Sequence, residues 1–200
     1  MTEKAEQMIS KILSIPAVFH LEQRLCNNYG NVKAEFSDYV DRGALRVLDV
    51  GCSTGTCGQA LFDTTRHEYT GIDITERYIA YAQRKYPFSR YLVMDGRALT
   101  FDDQSFDVVS FVGVLHHMDD ATATASLEQA RRVLKKTGVL LVAEPVFSPN
   151  AVLSNLFLSI DRGKFIREAG HYEKLLDAFR IERRRYFKLS LHRFISFVAK

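Results

Sequence analysis

The sequence has little of what marks a secreted or multi-domain chain. Its 200 residues include four prolines and three cysteines, and Cys26, Cys52 and Cys57 form no Cys-x-x-Cys pair. An odd, unpaired set of cysteines argues against a disulfide framework and against a thiolate zinc site. The prolines are scattered and no repeat or low-complexity tract interrupts the chain, which favours one domain without a linker.

Long apolar runs and a strong excess of one charge are also missing. The longest apolar run, residues 138–143, is far shorter than the roughly 20 residues of a membrane-spanning helix. The first residues are polar, without the apolar stretch of a secretory signal. A formal net charge of +3 does not require an acidic partner. We therefore expect a cytoplasmic protein, monomeric or homodimeric, that binds neither nucleic acid nor a membrane.

Apolar residues make up 46% of the sequence. Their spacing changes along the chain between short continuous runs and positions repeated at helical intervals. From Leu45 onward, short aliphatic runs alternate with helical stretches, which predicts a parallel sheet covered by helices on both faces. The predicted strands are 45–50, 68–72, 90–94, 106–112, 139–143, 181–188 and 192–199. The predicted helices are 57–65, 75–86 and 120–136, with Gly138 as the stop of the last one.

The ends of the chain differ from this middle part. Residues 1–44 have apolar positions at helical intervals and predict two or three helices that cap the sheet. The last two strands are joined by a short connection, which predicts an antiparallel pair at the sheet edge. We therefore divide the single domain, residues 1–200, into this cap, a binding core at 45–145, and an insertion with a hairpin at 146–200.

A glycine-rich turn follows the first strand, in the segment 47–58. Gly51 and Gly55 let the chain turn tightly and let a flat ligand approach the backbone. Open α/β sheets bind ligands at this carboxyl edge, where the strand order reverses. The turn therefore predicts a nucleotide-like ligand.

Acidic residues at three strand ends narrow the choice of ligand. Asp73 closes the second strand about 20 residues after the glycine turn, where a carboxylate can accept from two ribose hydroxyls. Asp49, inside the turn motif, favours an ammonium or sulfonium over a pyrophosphate. Asp95 ends the third strand and can accept from an adenine amino group, with Ile74 against the ring. These positions predict a cationic adenosine derivative.

These residues resemble the class I S-adenosylmethionine-dependent methyltransferases, especially the small-molecule, type 11-like branch with the motif Val-Leu-Asp-x-Gly-Cys-Gly-x-Gly. Ser53 stands at the middle glycine of that motif. The resemblance implies a Rossmann-like, doubly wound, mostly parallel seven-stranded sheet with an antiparallel C-terminal strand, and S-adenosyl-L-methionine as cofactor. The residues implied to bind the cofactor are Asp49, Gly51, Cys52, Ser53, Gly55, Asp73, Ile74, Asp95, Gly96 and Val112.

The segments 106–118 and 134–140 resemble the same branch. Methyl transfer needs a nucleophile held in line in a site that excludes water, and a base only where the acceptor must lose a proton. Two histidines follow the fourth strand; we favour His117 as base or orienting group and take His116 as the second candidate. Weaker candidates are Glu144, Asp161, His171 and Tyr172.

The acceptor is expected to be a small molecule, because the motifs that present bases or amides for methylation are missing after the fourth strand. Its pocket is expected between the amino-terminal helices, with Phe19, Tyr29 and Phe36, and the apolar stretch after Glu144. No metal is expected, since the adjacent Asp119 and Asp120 diverge and suit a helix cap. Arg183 and its two following arginines cannot all face one partner on a strand.

Two other interpretations share part of this pattern. A nicotinamide-dependent oxidoreductase would need Gly-x-Gly-x-x-Gly, which the spacing of Gly51, Gly55 and Gly58 does not match. Its Tyr-x-x-x-Lys pair occurs as Tyr81 and Lys85, but too early in the fold. A catalytically inactive module that binds the same cofactor stays open at this point.

Overall fold

The computed structural model describes residues 15–26, 29–147, 164–189 and 192–200. Within them the helices are α1 Pro16–Cys26, α2 Tyr29–Val40, α3 Thr56–Leu61, α4 Glu76–Lys85, α5 Asp120–Val133 and α6 Ala169–Leu175. The strands are β1 Arg46–Val50, β2 Glu68–Asp73, β3 Arg90–Val93, β4 Phe106–Val112, β5 Leu134–Pro145, β6 Ile181–Leu189 and β7 His192–Ala199. A single 3-10 turn, Leu115–His117, follows β4.

The strands form one seven-stranded sheet in the order β3-β2-β1-β4-β5-β7-β6. Strands β1 to β5 pair in parallel, whereas β7 pairs antiparallel with both β5 and β6. The order reverses between β1 and β4, which creates the crevice at which open α/β sheets bind ligands. The predicted fold class, including the antiparallel C-terminal strand, is confirmed.

Two apolar clusters cover the two faces of the sheet. Neighbouring strand residues such as Val47 and Leu48 belong to different clusters, as successive side chains on a strand point to opposite faces. The cluster that holds Leu48 is closed by α5 and α6, and the one that holds Val47 by α2, α3 and α4. The sheet is therefore doubly wound, and its strand ends are left to form a site.

Two helices and one strand differ by several residues from their predicted bounds. The helix predicted to run to residue 136 ends at Val133, and Leu134 is already extended with φ −74° and ψ 133°. Gly138 is not a helix stop; it lies inside β5, where an added Cβ would come within 3.0 Å of the Asp107 carbonyl oxygen. The basic segment is strand because Leu134 pairs with Phe106 and Lys135 Nζ donates to Asp107 Oδ1 at 2.7 Å. Helix α3, predicted to residue 65, ends at Leu61.

The position of the C-terminal hairpin is fixed by the antiparallel pairing of β7 with β5. Strand β6 is the edge strand, and β7 lies between β6 and β5. Because β7 runs against β5, its first residues lie beside the end of β5, with Phe194 opposite Pro145. The end of β6 and the start of β7 therefore reach the carboxyl edge of the parallel strands. Within the residues described, no helix is both long enough and apolar enough to cross a membrane.

Candidate active site

A cavity of about 660 Å³ opens at the carboxyl edge of the sheet. It extends from the ends of β1, β2 and β3 to the ends of β4 and β5 and the tip of the hairpin. Both His116 and His117 line it, together with nine of the ten predicted cofactor residues: Asp49, Gly51, Cys52, Ser53, Asp73, Ile74, Asp95, Gly96 and Val112. The structure therefore brings almost the whole predicted set to one surface.

Gly55 is the predicted residue that does not line the cavity. It precedes α3 with φ +79°, and an added Cβ would come within 2.6 Å of the Tyr91 hydroxyl. Its position favours a role in turning the chain over direct contact with a ligand. Gly51, with φ +75°, does line the cavity, and an added Cβ would lie 2.2 Å from Val114 Cγ2. The glycine turn is therefore packed against the loop that follows β4.

Asp49 is buried, with 4% of its surface exposed, and both carboxylate oxygens have partners. The Tyr69 hydroxyl donates to Oδ2 and the Ser110 hydroxyl to Oδ1, each at 2.7 Å. Burial raises the pKa of Asp49 to about 6, although the hydrogen bonds from Ser110 and Tyr69 oppose this shift. The sequence predicted an anion near the turn; in the structure this carboxylate is enclosed, so it would act on a bound cation mainly through its charge.

Asp73 is held on the cavity wall by backbone groups. Its Oδ2 accepts from the Ser53 N–H at 3.0 Å and its Oδ1 from the Thr75 N–H at 2.8 Å. Each carboxylate oxygen can accept more than one hydrogen bond, so both oxygens keep capacity for a further donor. An oriented carboxylate of this kind suits a pair of neighbouring hydroxyls.

The carboxylate of Asp95 forms an ion pair with Arg97, which the sequence reasoning missed. Arg97 Nη2 donates to Oδ2 at 2.7 Å and Arg97 Nε to Oδ1 at 3.1 Å, and these bonds lower the pKa of Asp95. Arg97 lines the same cavity. Ile74, which follows Asp73, lines the same cavity with 72% of its surface exposed, which leaves an apolar side chain for a flat ring to cover.

A closed network holds the loop after β4. The buried carboxylate of Glu144 accepts from the backbone N–H groups of Val114 at 2.9 Å and Leu115 at 2.8 Å. Its Oε2 lies 2.7 Å from Nδ1 of the buried His116 ring. Because a carboxylate accepts hydrogen bonds, this contact suits a ring that donates from Nδ1 to Glu144.

His117, the favoured candidate from the sequence, is exposed and lies beside His116, with ring centroids 4.1 Å apart and ring planes tilted by 40°. The His116 ring is buried, and its contact with Glu144 fixes its orientation. The geometry therefore favours His116 as the oriented imidazole. Glu144 itself is enclosed by the loop that it holds.

Comparisons with known proteins agree with this geometry. A family model described as a methyltransferase domain matches residues 47–138. Residues 47–138, nearly half of the chain, are therefore similar to a methyltransferase domain. The match covers the glycine turn and the acids at the ends of β1, β2 and β3, and confirms the resemblance that those residues carry.

Relatives of the methyltransferase domain include two curated proteins. A demethylmenaquinone methyltransferase of Chlorobaculum tepidum is 29% identical over 134 residues, 67% of this chain and 54% of that protein. A 2-methyl-6-phytyl-1,4-hydroquinone methyltransferase of Synechocystis is 37% identical over 101 residues, 49% of this chain and 31% of that protein. The chain thus spans about half the length, or less, of the curated relatives that it matches.

A solved structure shares the fold. The SAM-dependent methyltransferase of Methanosarcina mazei superposes with a TM-score of 0.69 and 19% identity, over 83% of this chain and 96% of that one. At this identity the likeness shows the architecture of the methyltransferase domain and leaves its acceptor open.

Arg167 clamps the 3-10 turn of the methyltransferase domain from outside, and the sequence reasoning did not find it. Its buried guanidinium donates to the Leu115 carbonyl at 2.8 Å, to the Met118 carbonyl at 2.7 Å and to Asp120 Oδ1 at 2.7 Å. Asp120 also lies 2.7 Å from Nε2 of His171. Asp120 therefore holds this clamp, while Asp119 caps α5 by accepting from the Thr122 N–H at 2.8 Å.

Of the weaker candidates for a base, Glu144, His171 and Tyr172 do not line the cavity. His171 is bound to Asp120, and Tyr172 is fully buried with its hydroxyl 3.3 Å from the Pro145 carbonyl oxygen. Asp161 and the apolar stretch at 151–160 lie outside the described residues. Among those described, no three His, Cys, Asp or Glu side chains cluster as metal ligands.

The far wall of the cavity is built from both ends of the chain. Phe19 and Tyr29 line it as predicted, and the Phe19 ring stacks on Tyr78 with centroids 5.2 Å apart. Phe36 is wholly buried in the core and does not line the cavity. The sequence reasoning missed the hairpin residues Leu189, His192 and Phe194, which also line the cavity. Their position follows from the antiparallel pairing of β7 with β5.

The cavity's side chains fit a cationic adenosine derivative. Asp73 and Asp95 offer acceptors for hydroxyls and an amino group, Ile74 offers an apolar side chain in the same cavity, and the enclosed Asp49 favours positive charge. A diphosphate would meet three carboxylates at this end, and the guanidinium of Arg97 is already bound to Asp95. The hydroxyl of Ser53 has no hydrogen-bond partner among the described residues, so a polar atom is left for a ligand.

Proposed function

We propose that this chain transfers a methyl group from S-adenosyl-L-methionine to a small-molecule acceptor. One observation carries the proposal: Asp49, Asp73 and Asp95, at the ends of three adjacent strands, line the same cavity as His116. The chemistry that the cofactor supplies when bound is a methyl group on a sulfonium, open to displacement by a nucleophile. The relatives named for menaquinone and hydroquinone chemistry support a small acceptor.

In this proposal the nucleoside end of the cavity binds and orients. Asp73 accepts from the ribose hydroxyls, Asp95 accepts from the adenine amino group, and Ile74 packs on the ring face. Asp49 favours a cationic ligand through its charge, and the backbone of the glycine turn lies against the remaining part. Holding the ligand at several points in this way fixes the geometry on which in-line transfer depends.

At the other end, we assign the base to His116, for acceptors that must lose a proton. Its Nε2 accepts the proton, and Glu144, hydrogen-bonded to Nδ1, stabilises the imidazolium that results. Arg167 keeps the 3-10 turn in place, and Phe19, Tyr29 and Phe194 limit the access of water. The acceptor itself, a cytoplasmic location, the absence of nucleic-acid and membrane partners, and a monomeric or homodimeric state stay predictions.

Calorimetry with S-adenosylmethionine, S-adenosylhomocysteine and NADH tests the proposal. We expect micromolar binding of both adenosyl compounds and no binding of NADH. Asp73→Asn removes charge from two accepted hydrogen bonds and should weaken binding roughly 30-fold or more. Asp63→Asn is the matched control, because Asp63 is an exposed carboxylate outside the cavity, and it should bind as the wild type does.

Undiminished binding by the Asp73→Asn protein, or binding of NADH alone, would contradict the assignment. Turnover is then measured by transfer of a labelled methyl group to a panel of hydroquinones and phenols. His116→Ala should lower the rate on any acceptor that is used, while leaving the affinity for S-adenosylhomocysteine unchanged. Tight binding with no transfer to any acceptor would instead support an inactive binding module.

A further inference from the structure

Ser53 has a backbone conformation that usually belongs to glycine. It lies in the turn between β1 and α3 with φ +51°, and only Gln104 shares a positive φ among the described residues that are not glycine. A β-carbon is unfavourable in this left-handed region because it crowds the carbonyl oxygen that follows. Serine at position 53 therefore costs folding free energy that glycine would not.

The hydroxyl of Ser53 adds a second unfavourable feature. Its Oγ is buried and has no hydrogen-bond partner among the described residues. A buried polar group without a partner loses its hydrogen bonds to water and gains none in return. Alanine would remove this second cost and keep the first, whereas glycine would remove both.

The surroundings of Ser53 indicate what its hydroxyl serves. The Ser53 N–H donates to Asp73 Oδ2 at 3.0 Å, so the side chain lies beside the carboxylate assigned to the ribose. Ser53 also lines the cavity, and its hydroxyl can turn towards the cavity by rotating between staggered positions about χ1. The neighbouring hydroxyls are engaged, since Thr54 and Thr56 are bonded at 3.0 Å and Thr56 is 2.8 Å from His20 Nδ1.

We propose that the Ser53 hydroxyl is a cofactor-binding group, which donates a hydrogen bond to an oxygen of the bound cofactor beside Asp73. This inference rests on the proposed function. Three carboxylates at this end of the cavity can only accept, so a hydroxyl adds the donor that a ligand oxygen needs. Ser53 thus lowers the stability of the free protein and raises its affinity for the cofactor. On binding, the cofactor supplies the hydrogen-bond partner that the hydroxyl lacks.

Two parts of the cofactor offer such an oxygen: the ribose hydroxyls and the carboxylate of the amino-acid end. Two probes separate them. S-adenosylhomocysteine has both groups, whereas 5′-methylthioadenosine has the ribose and lacks the amino-acid end. A loss of affinity for both probes assigns the ribose, and a loss for S-adenosylhomocysteine alone assigns the carboxylate.

The experiment compares wild type with Ser53→Gly and Ser53→Ala, by thermal unfolding without ligand and by calorimetry with each probe. We expect Ser53→Gly to raise the melting temperature of the free protein most and Ser53→Ala to raise it less or leave it unchanged. Both should weaken binding of S-adenosylhomocysteine by roughly three- to tenfold, the effect of one lost hydrogen bond. The readouts do not depend on turnover.

Unchanged or tighter binding in the alanine variant would overturn the inference, even if the glycine variant binds more weakly, because the hydroxyl would then contribute nothing. A wild type that binds neither probe would contradict the proposed function itself. The two failures are therefore distinguishable in one set of measurements.

Discussion

The two ends of the cavity are built in different ways. At the nucleoside end, Asp73 and Asp95 stand partly open at strand tips, held by backbone N–H groups or by one neighbouring guanidinium. At the acceptor end, Glu144 is wholly buried, and its carboxylate accepts from three backbone N–H groups and contacts the His116 ring. Open carboxylates are available to a ligand, whereas an enclosed one orients a side chain. Substitutions should therefore cost affinity at the first end and stability at the second.

The largest effect is expected from Glu144→Ala. It leaves the N–H groups of Val114 and Leu115 without their acceptor and the His116 ring without its partner, all in a buried loop. Removing one member of a buried, hydrogen-bonded charge network costs about 3–5 kcal/mol of unfolding free energy. Glu144→Gln keeps one acceptor oxygen and should cost less. Urea denaturation of the free proteins measures both.

The control for this loss is Glu128→Ala, on the exposed face of α5. An exposed substitution away from the core should change the unfolding free energy by less than about 0.5 kcal/mol. If Glu144→Ala unfolds as Glu128→Ala does, the acceptor end is not held by its carboxylate, and the contrast between the two ends is wrong.

Asp49 is the enclosed acid of the nucleoside end and should show a pH dependence of its own. Its pKa is raised by burial from 3.8 to about 6, so the folded state keeps a proton that the unfolded state has released. The contribution of Asp49 to stability therefore falls as pH rises from about 4 to about 6, by about 3 kcal/mol in all. Asp49→Asn removes this fall.

The measurement is the difference in unfolding free energy between wild type and Asp49→Asn from pH 4 to pH 7. The two proteins are compared because Asp95, Asp107 and Asp120 have lowered pKa values. Their contributions to stability increase as pH rises and would mask the decrease from Asp49 in the wild type alone. Parallel curves for the two proteins would show that the Asp49 carboxylate is not desolvated, and would place it with the open acids of the nucleoside end.

The same contrast explains what could be predicted from the sequence. Asp49, Asp73 and Asp95 each follow a recognisable strand, so their meeting at one sheet edge follows from the strand pattern alone. The partners of Asp49 depend on the pairing of β1 with β2 and β4, for example Asp49 opposite Ser110, and no local pattern reveals a register. Strand positions were therefore predictable where hydrogen-bond partners were not.

The acceptor end was the harder part because its residues are far apart in the chain. Arg167 reaches Leu115 across 52 positions, and Phe194 reaches the cavity only because β7 inserts between β5 and β6. The prediction for residues 134–138 was also wrong. Two lysines and a glycine there are typical of a helix end, but the segment pairs with β4 and is a strand. Long-range pairing decided each of these cases.

The smallest effect is expected at the exposed ion pair of the nucleoside end. Arg97→Ala frees the carboxylate of Asp95 from a competing donor without removing the acceptor, so affinity for S-adenosylhomocysteine should change by less than about threefold. Asp95→Ala removes the acceptor and should weaken binding by about tenfold. Both melting temperatures should match that of the wild type, because the pair is exposed.

Calorimetry of the two variants side by side decides which member of the pair serves the ligand. If Arg97→Ala weakens binding as much as Asp95→Ala does, the guanidinium itself contacts the ligand, and this end of the cavity binds through a donor as well as through acceptors. Equal losses of affinity with unchanged melting temperatures would then assign Arg97 as a cofactor-binding residue. A loss confined to Asp95→Ala keeps the nucleoside end as a row of open acceptors, with Arg97 holding one of them in place.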